Sequence, residues 1–165
     1  MLLCVTNYQT GTDRKYIPLD YLNGDTIVGN KLFIVEDAML YHFGFLTSIM
    51  HMTWIRTVGA RLKSDYQYSN NIVYNNFPWA ENPSKEAVKK IEEKAQKVLD
   101  VRAKYPDCSL ADLYDPNTMP PDLVKAHNEL DNAVDSSYGK KKFITEAERM
   151  EFLFDLYEKY TALTK

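Results

Sequence analysis

The 165 residues make one ordinary domain or two small ones. At 45% hydrophobic and 26% charged the chain can bury a core, and no apolar run approaches the ~20 residues of a membrane-spanning helix. The net charge of −3 argues against a uniformly basic nucleic-acid binder, but residues 1–79 balance six Lys/Arg against six Asp/Glu while residues 80–165 hold fourteen against seventeen, so any phosphate-facing surface is a local patch on the first half.

Five of the six glycines lie before residue 60, among β-branched and aromatic runs. Lys15–Pro18 and Thr26–Val28 read as short strands, and Lys31–Val35 as the clearest one, with Asn23-Gly24-Asp25 and Gly29-Asn30 as turns. This looks like the remnant of a small sheet, beginning abruptly at Met1 as if cut from something longer. From Asp37 the apolar spacing lengthens to three or four. It predicts a short helix near 37–42, a break at Gly44 and a longer helix near 46–62. Residues 64–82 read as irregular.

Beyond Pro83 the chain changes character. Ser84 caps a helix whose face carries Val88, Ile91, Ala95, Val98 and Arg102, stopping at Tyr105-Pro106. Ser109–Asp112 is a short capped turn. Pro120 and Pro121 open a helix with Leu123, Val124, His127, Leu130, Val134 and Tyr138 along its stripe, ended by Gly139. Lys140–Lys142 is a loop, and Thr145 with Glu148 forms a capping box for a last helix lined by Met150, Leu153, Phe154, Tyr157 and Tyr160. The expected fold is α+β: a small N-terminal β-region with one or two helices (residues 1–80), then a mainly helical domain of about three helices (residues 81–165).

No Gly-rich loop follows a strand and no Gly-x-Ser-x-Gly elbow exists, which leaves no P-loop, dinucleotide fingerprint or hydrolase nucleophile. Cys4 and Cys108 are too few for a disulfide framework or a zinc site; Cys108 reads as half-buried. His42, His51 and His127 are too widely separated for a local metal-ligand spacing, and His127 reads as a packing or hydrogen-bonding residue. With no leader-like N-terminus, a cytosolic protein without metal or membrane partner is expected. The stretch Ser48–Trp79 stands out. It sets Arg56, Arg61 and Lys63 against one acid, Asp65, and interleaves hydroxyls and amides with Trp54, Tyr66, Tyr68, Tyr74, Phe77 and Trp79. Such side chains read bases and hold phosphates, although a surface loop anchored by aromatics has the same composition.

Three segments carry a resemblance. They are Tyr41–Ser69, with its Tyr41-His42-Phe43-Gly44-Phe45-Leu46-Thr47-Ser48 opening; Ile72-Val73-Tyr74-Asn75-Asn76-Phe77-Pro78-Trp79; and Ser109-Leu110-Ala111-Asp112-Leu113-Tyr114-Asp115-Pro116 running on to Tyr138-Gly139. In this order they resemble the C-terminal part of the MmeI-like DNA methyltransferases of bacterial restriction–modification systems. The resemblance spans about Arg14 to Tyr157 and implies the end of a target recognition domain followed by a helical C-terminal domain. In that family an S-adenosylmethionine-dependent domain methylates an adenine amino group through an Asn-Pro-Pro-Tyr motif. Asn75-Asn76-Phe77-Pro78-Trp79 is not that motif, so this segment is expected to be non-catalytic and to hold no cofactor. The cofactor and the chemistry would lie in a methyltransferase domain of the same parent chain. Double-stranded DNA is the implied partner. The implied contact residues are Arg14, Lys15, Thr47, Ser48, His51, Arg56, Arg61, Lys63, Tyr66, Gln67 and Tyr68. Arg56 and Arg61 are five apart on one predicted helix, so only one of them is expected to face DNA, while the other pairs with Asp65 or packs its stem. The competing reading is a stand-alone protein-interaction module, supported by the acidic net charge and by the apolar stretch His42–Met52 as an exposed patch.

Overall fold

A computed structural model describes residues 2–6, 13–22, 25–27, 29, 32–63, 65–139 and 142–162. A three-stranded antiparallel sheet has β1 (Leu2–Thr6) at its centre, between β2 (Asp20–Leu22) and β3 (Leu32–Val35). Leu3 faces Tyr21 on one side and Val35 on the other. Helices α1 (Leu40–Leu46) and α2 (Ile49–Val58) follow, then a β4–β5 hairpin (Ala60–Leu62, Asp65–Gln67) and one π-helical turn, Asn70–Tyr74. The rest is helical: α3 (Lys85–Arg102), the short α4 (Leu110–Leu113), α5 (Pro121–Ser137) and α6 (Glu146–Ala162). The α+β class and the helical second half agree with expectation.

Several local expectations do not hold. Lys15–Pro18 bends at Lys15 and Tyr16 and joins no sheet. Tyr16, Ile17 and Leu19 are each 1% exposed, buried as deeply as core helix residues. The backbone here is satisfied by side chains rather than by a strand: the Thr47 hydroxyl donates to the Ile17 carbonyl and Arg102 to the Leu19 carbonyl. Thr26 and Ile27 are outside any strand, with Ile27 nearly fully exposed, and Val28 and Lys31 lie outside the described residues. The helix expected near 46–62 ends at Val58 and residues 60–62 form β4, while the segment read as irregular contains β5 and the π-turn. Cys108 is exposed, not half-buried.

Gly44 does not break a helix. It sits inside α1, because α1 crosses α3 and α5 at that point. A Cβ there would lie 2.7 Å from Ile91 Cγ2, 3.3 Å from Leu130 Cδ1 and 3.4 Å from the Ala95 Cβ. The helix tolerates glycine's entropic cost in return for close packing. Gly44→Ala is therefore expected to destabilise the chain by about 1–3 kcal/mol through overpacking, despite alanine's better helix propensity. Urea unfolding measures this, and a gain in stability would contradict the crossing geometry.

The caps follow the sequence closely. Ser48, Ser84 and Ser109 each accept a backbone N–H at a helix start, and Ser109 and Asp112 cap reciprocally. Before α6 the box is shifted by one: Glu148 N donates to Thr145, but the Glu148 carboxylate accepts from Ile144 N at 2.7 Å. Gly139 ends α5 at φ 76°, a conformation that favours glycine. One core runs through both halves. Phe43, Phe45 and Leu46 of α1 and Met50, Met52 and Ile55 of α2 join Ile91, Ala95 and Val98 of α3 and Leu123, Ala126, Leu130 and Val134 of α5. The His42–Met52 stretch is thus mostly interior, not an exposed patch.

Candidate nucleic-acid interface

The residues singled out in sequence divide into an exposed group and a buried one. Arg61, Lys63 and Gln67 are exposed on the hairpin. Its register pairs Ala60 with Gln67, Arg61 with Tyr66 and Leu62 with Asp65, so the strands close through a two-residue turn. Lys63 occupies that turn at φ 58°, a left-handed backbone that a lysine adopts at a cost of about 1–2 kcal/mol. The Arg61 guanidinium lies 4.8 Å from the Tyr66 ring centre and donates to the Tyr66 hydroxyl at 3.3 Å. That fixes its direction while leaving most of its donors free. Between the end of β3 and the π-turn lies a groove of about 380 Å³, whose lining includes Phe33, Glu36, Tyr68, Asn70 and Asn75.

Arg14 is half-buried and Lys15 exposed. Lys15 donates to the Asn128 amide oxygen at 3.0 Å and stands over the Tyr16 ring.

The remaining residues face inward. Thr47, Ser48 and His51 are at most 1% exposed. Ser48 caps α2 and donates to the Phe45 carbonyl at 2.7 Å. His51 Nε2 meets the Tyr68 hydroxyl at 3.0 Å, its ring stands edge-on to Phe77, and its Nδ1 has no partner. Burial pushes His51 down to about 3 and the Tyr68 phenol up. Tyr66 and Tyr68 are buried in their residue totals, with Tyr66 serving as the platform under Arg61. Arg56 does not pair with Asp65. Its guanidinium grips both Glu146 carboxylate oxygens at 3.0 and 2.9 Å and the Arg14 carbonyl at 3.1 Å. Phe77 is buried and Tyr74 and Trp79 are half-buried, with Tyr74 and Phe77 both packed against Trp79, and the Trp79 carbonyl accepts from the Tyr160 hydroxyl at 2.8 Å.

Two acids to which the sequence reading gave no role, Asp131 and Glu146, bind residues of the first half. Asp131 Oδ1 accepts the Ile49 backbone N–H at 2.8 Å and Oδ2 accepts the Tyr16 hydroxyl at 2.7 Å. Burial raises its carboxyl to about 6, opposed by these same hydrogen bonds. Its place four residues after His127, within the apolar stripe, was the available signal. Among the described residues no cluster of three His, Cys, Asp or Glu forms a metal site, and no helix is long and apolar enough to cross a membrane.

The chain has counterparts among known proteins. Residues 2–81 match the family model described as the MmeI target recognition domain, and residues 83–164 match the MmeI C-terminal domain. The chain therefore belongs to the MmeI family and carries these two domains. It is similar to DNA methyltransferase A of Bacillus subtilis (strain 168), 40% identical over 162 residues that cover 94% of this chain and 18% of that protein. It is also similar to the solved structure of the type IIL restriction–modification enzyme MmeI in complex with DNA, with a TM-score of 0.93 and 44% identity over 98% of this chain and 21% of that one. The chain thus spans about a fifth of the length of the relatives it matches.

Proposed function

We propose that this chain reads duplex DNA for a bacterial S-adenosylmethionine-dependent adenine methyltransferase, acting in the cytoplasm, with the transfer chemistry in a separate domain of the same polypeptide. Residues 1–80 do the reading and residues 81–165 brace them. The observation that carries this is the β4–β5 hairpin, a two-stranded ribbon with Arg61 on one strand and Lys63 at its tip, both exposed. A ribbon of two strands fits the major groove, where an arginine fork binds guanine O6 and N7. In this reading Arg61 contacts base edges, and Gln67, on the opposite face of the ribbon, contacts phosphates with Lys63, Arg14 and Lys15. Thr47, Ser48, His51, Arg56 and Tyr68 support the hairpin from inside, and Tyr66 aims Arg61.

The test is binding of the chain to a fluorescein-labelled mixed-sequence duplex across a salt series. Affinity should fall steeply with salt. Lys63→Asn relieves the left-handed strain and removes one cation, so the fold should be unharmed while the salt slope drops by about one. Arg61→Ala should weaken binding to the preferred sequence by about 1–3 kcal/mol and flatten discrimination at one position. Absence of binding at low salt, or variants indistinguishable from wild type, would overturn the proposal.

A further inference from the structure

We propose that Asp131 and Glu146, both in the helical second half, are positioning residues for recognition: they clamp α2 at its two ends and so set the direction of the hairpin. The proposal rests on the reading above for its consequence at DNA, but the clamp itself stands on geometry.

The hairpin has no slack of its own. A single residue, Gly59, joins Val58 of α2 to Ala60 of β4. Its N–H donates to the Ile55 carbonyl at 2.9 Å, and a Cβ at this position would come within 2.4 Å of that same oxygen. The ribbon is therefore a continuation of α2, and its direction follows that helix.

α2 is fixed from outside at both ends. Its first turn presents an orphan N–H at Ile49, and the acceptor is Asp131, 82 positions further along the chain. The second Asp131 oxygen takes the Tyr16 hydroxyl, so this carboxylate ties three segments together at the positive end of the helix. In the last turn Arg56 is held by Glu146, the first residue of α6, 90 positions away, and by the Arg14 carbonyl. Between the two clamps Trp54 packs against Phe154 and Tyr157 of α6, with ring centres 5.6 and 5.7 Å apart. An α2 of ten residues is about 15 Å long. A tilt of a few degrees would move the hairpin beyond the ~0.5 Å within which directed hydrogen bonds stay productive.

Glu146→Ala separates this role from general stability. The Glu146 side chain is 46% exposed, and such a pair contributes little to the global fold. The first arm is amide hydrogen exchange. Exchange in the hairpin strands should rise at least about fivefold in Glu146→Ala and stay at the wild-type rate in Glu151→Ala, an exposed acid on the same helix. Asp131→Asn should loosen the same amides, because an Asn side chain offers one acceptor oxygen where two donors converge. The second arm is titration of the labelled mixed-sequence duplex. Removing an acid from a DNA-binding protein tightens binding by electrostatics alone. The clamp predicts the opposite: about three- to tenfold weaker binding with an unchanged salt slope, since no phosphate contact is lost. Unchanged hairpin exchange, or tighter DNA binding, overturns the clamp. Wild-type protein that fails to bind the duplex overturns the DNA reading instead, and the exchange arm then decides the clamp by itself.

Discussion

Arg102→Ala is expected to lower the unfolding free energy by about 3–5 kcal/mol, among the largest effects of any single substitution in this chain. Arg102 closes α3 and is 8% exposed. Among the described residues it has no carboxylate in ion-pair contact. Its charge is held instead by neutral oxygens and ring faces. Nη1 donates to the Leu19 carbonyl at 2.6 Å, and Nε donates to the Tyr114 hydroxyl at 2.8 Å with Nη2 on the same oxygen. The guanidinium centre lies 5.2 Å from the Phe43 ring and 4.8 Å from the Tyr114 ring. With both Tyr114 lone pairs taken, its O–H donates onward to His127 Nε2 at 2.7 Å. Alanine leaves a cavity, an unpaired Leu19 carbonyl and an under-satisfied phenol in one place. Arg102→Met keeps the stem and fills the space, so its loss should be smaller but still above about 1 kcal/mol, because the carbonyl remains orphaned. Denaturant midpoints of the two variants measure the difference. A change below about 1 kcal/mol for alanine would mean that water or a neighbour takes over the guanidinium's role.

The second large effect is with pH. All three histidines are pushed down, chiefly by burial: His51 to about 3, His127 well below the ordinary value with help from Arg102 and Lys15, and the half-buried His42 to a lesser depth. The folded state refuses protons that the unfolded chain accepts. Stability from these groups is present above the unfolded value near 6.5 and is lost as pH falls through it. Two buried histidines give a slope of about 1.4 kcal/mol per pH unit at that point, rising toward a limit of about 2.7 one unit below it. Asp131, pushed up to about 6, and the raised Asp135 act in the opposite sense, because the folded state takes up their protons first. The slope should therefore steepen below pH 6.5 and soften below about 6. Denaturation midpoints between pH 8 and 5 check this, and a flat profile would contradict the burial of His51 and His127. His51→Phe, which keeps an aromatic ring against Phe77, should remove about half of the slope.

How much of this was legible in the sequence follows from the range of each interaction. Helices α3, α5 and α6 were readable because their signals are local: a serine, proline or threonine at the start, an apolar stripe, and for α3 and α5 a proline or glycine at the end. The sheet was not. β1 is its centre, yet its partners lie about eighteen and thirty residues away, and nothing near Leu2–Thr6 announces them. Lys15–Pro18 misled because a segment buried under helix side chains has a strand's composition without a strand's partners. Gly44 misled because its reason is Ile91, in another helix. At the candidate interface, the pattern of basic and polar residues marked the stretch but placed Arg61 on a helix rather than on a hairpin, and could not sort outward from inward side chains. Arg56 resembled Arg61 until Glu146, ninety positions on, was seen to hold it.

The single interior shared by both halves bears on how such a protein could be redesigned. A chimaera sutured near residue 82 would separate Phe43 and Gly44 from Ile91 and Ala95, and Ile49 from Asp131. Each foreign half would then have to supply a matching mould for the other. Exchanging only the loop from Ala60 to Gln67 crosses no such seam, so retargeting by small transplants should keep the architecture where wholesale module exchange would unravel it.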